Sequence, residues 1–216
     1  MKNIKNAFII GSGGQARVIL SILKKDYKKI YEVKKIYSLE KEEYLRDKYL
    51  EIEIQYLKDV DELQANKNNS FFIAIGNIKK RINIFNKCIE KKLILPNLIS
   101  NKSLVDNSVS LGVGNIVMPL SHIGPFAKLG NNNIVNTNSN IEHEVILGDH
   151  NNLNPGSIIC GRSKIENGVQ IGANSTVIEN LNIKNGTIIG AGSVLINDTK
   201  FANKKYIGSP AKVIRK

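Results

Sequence analysis

The sequence predicts a small α/β domain followed by a parallel β-helix, and three observations carry that prediction. Every sixth residue from Val105 to Leu195 is aliphatic, sixteen positions in succession without slip or insertion. The residues between them are mostly Asn, Gly, Ser, Thr and Ala. Ahead of this array, short apolar runs alternate with segments of helical spacing, and the first run leads into Gly11-Ser12-Gly13-Gly14-Gln15.

The six-residue period is read first, because self-similarity at a fixed period defines a repeat architecture before any local propensity does. A helix needs apolar spacings of three and four, and a flat strand needs alternation sustained beyond six residues. What fits is a strand of about two to three residues with one aliphatic inward, then a turn of residues that tolerate left-handed backbone angles. The residue four places after the aliphatic is usually small or valine, as at Val109, Ser121, Ala127, Ser139 and Val145. Three such strands close a triangular coil, and coils stack as parallel strands about 4.8 Å apart. Residues 105–195 therefore build roughly five coils around an aliphatic core, with backbone groups paired from coil to coil. Ile116, Ile134 and Ile158 are expected on flat outer faces, where they would form apolar patches on a monomer. After the array, Ile207-Gly208-Ser209-Pro210-Ala211-Lys212 stops the coils and folds back over the last one.

The N-terminal part reads as strand, turn and helix units. Residues 7–10 are an apolar run, and Val18, Ile19, Ile22 and Leu23 after the glycine turn have helical spacing. Backbone N–H groups at such a turn can receive an anion or a polar group. A second strand is predicted over residues 30–37, and residues 39–49 have a charged, helical composition. Residues 71–75 form the clearest central strand, ending at Gly76-Asn77. A helix follows over about residues 79–92, with Ile82, Phe85 and Ile89 on one face, and then a strand over residues 93–98, broken by Pro96. This alternation predicts a parallel α/β domain at residues 1–98 and the β-helix domain at residues 99–216. The ligand cleft is expected at the carboxyl ends of the strands, where the two glycine turns meet.

The net charge is +12, but the basic residues are mostly lysines scattered through the first hundred positions rather than one tract. That pattern favours a solvated lysine-rich surface, or attraction of a polyphosphate ligand, over nucleic-acid binding. Cys88 and Cys160 have no metal spacing and read as free thiols of a reducing compartment. With no secretory leader and no apolar run near the length of a membrane span, a cytoplasmic protein without membrane insertion is expected.

Three histidines narrow the search for chemistry. His143 lies in Ile141-Glu142-His143-Glu144, at a turn between inward Ile141 and Val145, with a carboxylate on either side. A histidine so supported is suited to general base work at neutral pH, and spacing alone leaves Glu142 and Glu144 as equal partners. His122 and His150 are read as solvent-facing or as packing between subunits, and His143 with His150 makes a poor metal site.

Across its whole length the chain resembles the sugar O-/N-acyltransferases of the sialic acid O-acetyltransferase (NeuD) type, and among them the nucleotide-sugar N-acetyltransferases of the PglD kind. The resemblance rests on Gly11-Ser12-Gly13-Gly14-Gln15, on residues 71–77, on Asn136-Thr137 leading into Ile141-Glu142-His143-Glu144, and on Ile207 through Lys212. It implies a Rossmann-like N-terminal domain, a left-handed β-helix, and a homotrimer whose active sites lie between subunits. It further implies His143 as general base with Glu144 raising its basicity, and acetyl-coenzyme A as acyl donor without a metal. The coenzyme would lie along Asn152, Gly161, Ala173 and Ala191, with Lys212 near its phosphates. Gly13, Gly14, Gln15, Ser38, Gly76 and Asn77 would border the nucleotide-sugar pocket. There are three departures from the family pattern: Gln15 and Asn152 stand where relatives have histidine, and the pair Ser38-Leu39 where they have an acidic pair.

The function expected on these grounds is direct transfer of an acetyl group to the 4-amino group of a nucleotide-linked deoxy amino sugar for a bacterial surface glycan. O-acetylation of a sialic-acid-like sugar is the alternative within the same chemistry. A non-catalytic β-helix that binds a ligand or organises an assembly is the alternative of another class.

Overall fold

The computed structural model describes residues 4–41 and 52–214. The chain divides into two compact units, Met1–Leu98 and Ile99–Lys216.

In the first unit β1 (Lys5–Ile10), β2 (Tyr31–Ser38), β3 (Ile54–Tyr56) and β4 (Asn69–Ile73) form one parallel sheet in the order β3-β2-β1-β4. Helices α1 (Gly14–Asp26) and α2 (Ile78–Glu90) follow β1 and β4. The neighbouring strands β1 and β4 are the apolar ones: Ala7, Ile9 and Ile10 of β1 and Phe71, Phe72 and Ile73 of β4 are all buried. Burial of such runs suits strands of a parallel α/β sheet. α1 buries Ala16, Ile19, Leu20, Ile22 and Leu23, while Val18 is 38% exposed. α2 buries Arg81, Ile84, Phe85 and Cys88. The predicted face of Ile82, Phe85 and Ile89 is thus corrected by a rotation of the helix, which leaves Ile89 46% exposed.

Residues 93–98 do not form the expected continuous strand. A single parallel bridge joins Ser70 to Ile94, and Pro96, lacking an N–H, cannot extend the ladder. The helical reading of residues 39–49 falls largely outside the described residues.

From Leu98 onward the described residues form seventeen two-residue strands, β5 (Leu98–Ile99) to β21 (Val194–Leu195), in three parallel sheets. Partners are eighteen residues apart, as in Asn140 with Ile158 and Ile141 with Ile159. This is the parallel β-helix that the hexapeptide period predicts. Every ladder aliphatic is buried except Val105 and Leu111, which are half-buried at the start of the array and still pack on the core. Each fully buried aliphatic contributes about 1.5–3 kcal/mol, so the ladder is the main source of cohesion.

The turns are less selective than their composition suggests. Asn132, Asn138, Asn174 and Asn180 have the expected positive φ, but so do Leu120, Phe126, Glu144, His150 and Arg162. Stacking supplies part of the compensation. The N–H of Asn131 is accepted by Asp149 Oδ1 at 2.6 Å and that of Asp149 by Asn167 Oδ1 at 2.7 Å, one coil on in each case. Inside the same corner, Asn115 Oδ1 accepts from Asn133 N at 2.9 Å and Asn133 Oδ1 from Asn151 N at 2.7 Å.

The flat faces differ from expectation. Ile116 and Ile134 are each only 3% exposed, and Ile158 is half-buried, so only Ile158 remains from the predicted apolar set. After the coils, β22 (Lys205–Gly208) pairs in parallel with the β20 strand Ile188–Ile189, and β23 (Ala211–Val213) returns antiparallel to β22. Tyr206 is buried in the ladder core, with Ala211 and Val213 packed against it.

Candidate active site and substrate cavity

His143 projects from the corner between the six-stranded sheet, which contains Asn140–Ile141, and the five-stranded sheet, which contains Ile146–Leu147. Its Nδ1 lies 3.0 Å from Glu144 Oε2. The geometry thereby selects Glu144 over Glu142 as the partner. A carboxylate at Nδ1 holds the proton there and leaves Nε2 as the basic nitrogen. Glu144 sits at φ 59°, a left-handed position that turns its side chain back toward the ring.

The next coil completes this corner. Arg162 Nε donates to the same Glu144 Oε2 at 3.1 Å, and the Arg162 N–H donates to His143 O at 3.0 Å. The hydrogen bond from His143, followed by the charge of Arg162, holds the Glu144 carboxyl below the usual carboxylate range. Gly161 lies against the imidazole so closely that a Cβ there would fall 2.5 Å from His143 Cε1 and 2.6 Å from Nε2. The Gly161 N–H makes no hydrogen bond among the described residues. Cys160 precedes it, and burial, with the nearby Glu179 and Glu142, pushes its thiol up.

The remaining coenzyme candidates are not at this corner. Ala173 and Ala191, eighteen residues apart, occupy the corner between the eight-stranded and six-stranded sheets. Asn152 is on the eight-stranded sheet, paired between Ile134 and Gln170. Lys212 is exposed on β23. Within one chain, therefore, Ala173 and Ala191 are separated from the His143 corner by the six-stranded face, and Asn152 and Lys212 belong to the eight-stranded sheet, which does not form that corner. His150 is at the third corner, with Nδ1 2.9 Å from Asn132 Nδ2, and so is also apart from His143.

In the N-terminal unit a cavity of about 450 Å³ opens at the carboxyl ends of β1 and β4. That is the switch point of the sheet, since β2 and β3 extend it on one side of β1 and β4 on the other. Its lining includes Ser12, Gly13, Gly76 and Asn77. Gly14, Gln15 and Ser38 do not line it. Ser38 is buried beneath, accepting a hydrogen bond from Ser12 Oγ at 3.1 Å.

Two cavity determinants were not singled out in the sequence. Gly11, at φ 110°, is where a Cβ would meet Ala74 O at 2.6 Å, so its lack of a side chain permits the two turns to converge. Gly13 and Gly14 have open space instead. Arg81 is fully buried and donates from Nη1 to Ile75 O at 3.1 Å and Gly76 O at 3.3 Å, which fixes the second turn from below. Burial pushes its guanidinium down to about 10. In sequence it looks like one more cation at the start of a basic helix.

Known proteins share this fold. Residues 6–88 match the family model of the PglD N-terminal domain, and residues 162–197 match that of the bacterial transferase hexapeptide, six repeats. No curated protein matches the chain. Among solved structures, the acetyltransferase domain of PglB from Neisseria gonorrhoeae FA1090 in complex with acetyl coenzyme A is 21% identical, with a TM-score of 0.87, over 98% of this chain and 100% of that one. A variant of perosamine N-acetyltransferase from Caulobacter crescentus, in complex with CoA and GDP-perosamine, is 25% identical, with a TM-score of 0.73, over 99% of both chains. WeeI from Acinetobacter baumannii AYE is 18% identical, with a TM-score of 0.84, over 96% of this chain and 99% of that one. The chain thus carries a PglD N-terminal domain over residues 6–88 and a hexapeptide-repeat segment of the bacterial transferase type over residues 162–197.

Proposed function

We propose that the protein transfers an acetyl group from acetyl-coenzyme A to the 4-amino group of a nucleotide-linked deoxy amino sugar, using His143 as general base. The observation that carries this reading is the corner itself: Nδ1 bound to Glu144, Nε2 opposite it, and Gly161 against the ring with an unengaged N–H. His143 Nε2 takes the proton of the amine as it attacks the thioester carbonyl. Glu144 stabilises the resulting imidazolium, and the Gly161 N–H donates to the developing oxyanion. The coenzyme thiolate leaves with the electron pair of the broken C–S bond and takes up a proton. No acyl-enzyme is required, and the neutral state favoured for the Cys160 thiol suits it poorly to a nucleophilic role.

The active unit in this reading is a homotrimer. The six-stranded face presents Leu104, His122, Asn140, Ile158, Thr176 and Val194, a column without carboxylate, ammonium or guanidinium groups. It is flanked by the His143 corner on one side and the Ala173 corner on the other. Three such faces around a three-fold axis bring the His143 corner of each protomer to the Ala173 corner of its neighbour. Acetyl-coenzyme A then lies between Gly161 of one subunit and Ala173, Ala191 and Asn152 of another, with Lys212 toward its phosphates. The N-terminal cavity holds the nucleotide, as the CoA and GDP-perosamine complex of the Caulobacter relative supports.

The test is release of coenzyme A thiol from acetyl-coenzyme A, screened against UDP-, GDP- and dTDP-linked 4-amino sugars and free sialic-acid-type sugars. Turnover with a nucleotide-linked amine is expected. Turnover with free hydroxyl acceptors only would replace N-acetyl by O-acetyl transfer, and absence of acetyl-coenzyme A binding would leave a non-catalytic module.

A further inference from the structure

We propose that Glu40 reads the 2′-hydroxyl of the nucleotide in the N-terminal cavity, so that the substrate is a ribonucleoside diphosphate sugar rather than a 2′-deoxyribonucleoside one. The inference rests on the nucleotide-sugar reading above and deepens it.

Two carboxylates line the cavity, and their bonding differs. Both oxygens of Asp59 are taken by Lys87 Nζ, at 2.8 and 2.6 Å, and Oδ1 also accepts from Asp61 N at 3.1 Å. Glu40 engages only Oε1, with Lys80 Nζ at 2.9 Å, leaving Oε2 without a partner among the described residues. One carboxylate is spent on the wall of the cavity and the other has an acceptor to offer.

The position of Glu40 is also built. Ser38, the last residue of β2, donates from Oγ to Glu40 O at 2.6 Å and accepts from Glu40 N at 3.2 Å. The same Oγ receives the hydrogen bond from Ser12, in the turn after β1. A chain of hydroxyls therefore ties the Glu40 backbone to the glycine turn. In parallel sheets of this kind the pyrophosphate sits at the turn after the first strand, and an acidic residue past the end of the second strand accepts from the ribose hydroxyl. Lys80, on the first turn of α2, places an ammonium beside that carboxylate for the adjoining phosphates.

Removing a hydroxyl that a site is built to bind leaves the carboxylate oxygen without its donor, and discrimination follows from that loss. The experiment is calorimetric titration of the full chain with UDP and dUDP, and with GDP and dGDP, pairs that differ only at the 2′ position. The ribonucleotide of the preferred base is expected to bind at least about ten-fold tighter than its 2′-deoxy partner, a difference of about 1.4 kcal/mol. Glu40→Gln should reduce that ratio to near unity while changing the affinity for the deoxynucleotide little. Melting curves of the variant check that the fold is kept. Equal binding of each pair by the unaltered chain, an undiminished ratio in Glu40→Gln, or loss of the ratio in Asp59→Asn instead would overturn the Glu40 assignment and leave the nucleotide-sugar reading standing. Failure of every nucleoside diphosphate to bind would overturn both.

Discussion

The imidazole of His143 rests on Gly161, one coil further along, in a space that an alanine methyl group would enter at 2.5 Å from Cε1. The glycine is thus required by the histidine rather than by its own backbone, since Gly161 is not among the glycines with positive φ. Gly161→Ala should displace the ring from Glu144 and lower kcat by about 100-fold, the scale of an ångström-sized misplacement. Its melting temperature should stay near that of the parent, because the corner is at the surface. Steady-state rates on the folded variant check this, and unimpaired turnover would remove His143 from the reaction.

Arg162 and His143 share one oxygen of Glu144. Both side chains of the Arg162–Glu144 pair are about half exposed, so its strength is limited and sensitive to salt. Arg162→Gln is expected to lower kcat roughly two- to five-fold with little change in KM, and added salt should erase most of the difference. Rates measured across ionic strength decide it.

Cys160 stands next to Gly161, and its thiol is pushed up by burial and two carboxylates. Cys160→Ala should retain most of the activity. A loss comparable to that of His143→Ala would replace direct transfer by a covalent route.

Assembly is tested on the charge-free face. Ile158→Glu sets three carboxylates around the proposed three-fold axis, and a carboxylate buried in an interface is strongly unfavourable. The variant should sediment as a monomer and lose activity while His143 is unaltered. A parent chain that already sediments as a monomer would contradict a shared site.

The Asp59–Lys87 pair gives a pH dependence with a definite sign. Lys87 holds the Asp59 carboxyl below its ordinary value, and Asp59 in turn raises the Lys87 ammonium. A lowered carboxyl contributes stability that is complete above its unfolded value and lost as pH falls through its folded one. The raised ammonium contributes below its unfolded value and loses that contribution as pH rises through its folded one. Asp59→Asn should therefore melt up to about 4 °C lower than the parent near neutral pH, with the two curves converging at acid pH. Melting temperatures measured across that range check the sign.

Much of this molecule was determined by sequence alone. The unbroken period from Val105 to Leu195 specifies the coil, the ladder and the eighteen-residue register, because a one-aliphatic-per-six pattern has one way to bury its apolar positions. The same register puts Gly161 above His143 and Arg162 above Glu144. The two glycine turns likewise locate the cavity before any coordinates are known.

Tertiary structure alone decided the rest. The choice of Glu144 over Glu142 depends on a left-handed backbone angle at a non-glycine residue, which composition does not reveal. The burial of Ile116 and Ile134, the inward turn of Arg81 and the rotation of α2 away from Ile89 depend on what surrounds each side chain. Gly11 rather than Gly13 or Gly14 proves to be the tight glycine, because Ala74, just past the end of β4, approaches it and its φ is positive. Local sequence carries periodicity and turn chemistry, whereas contacts between residues distant in the chain are resolved by packing, and the N-terminal cavity is built from such contacts.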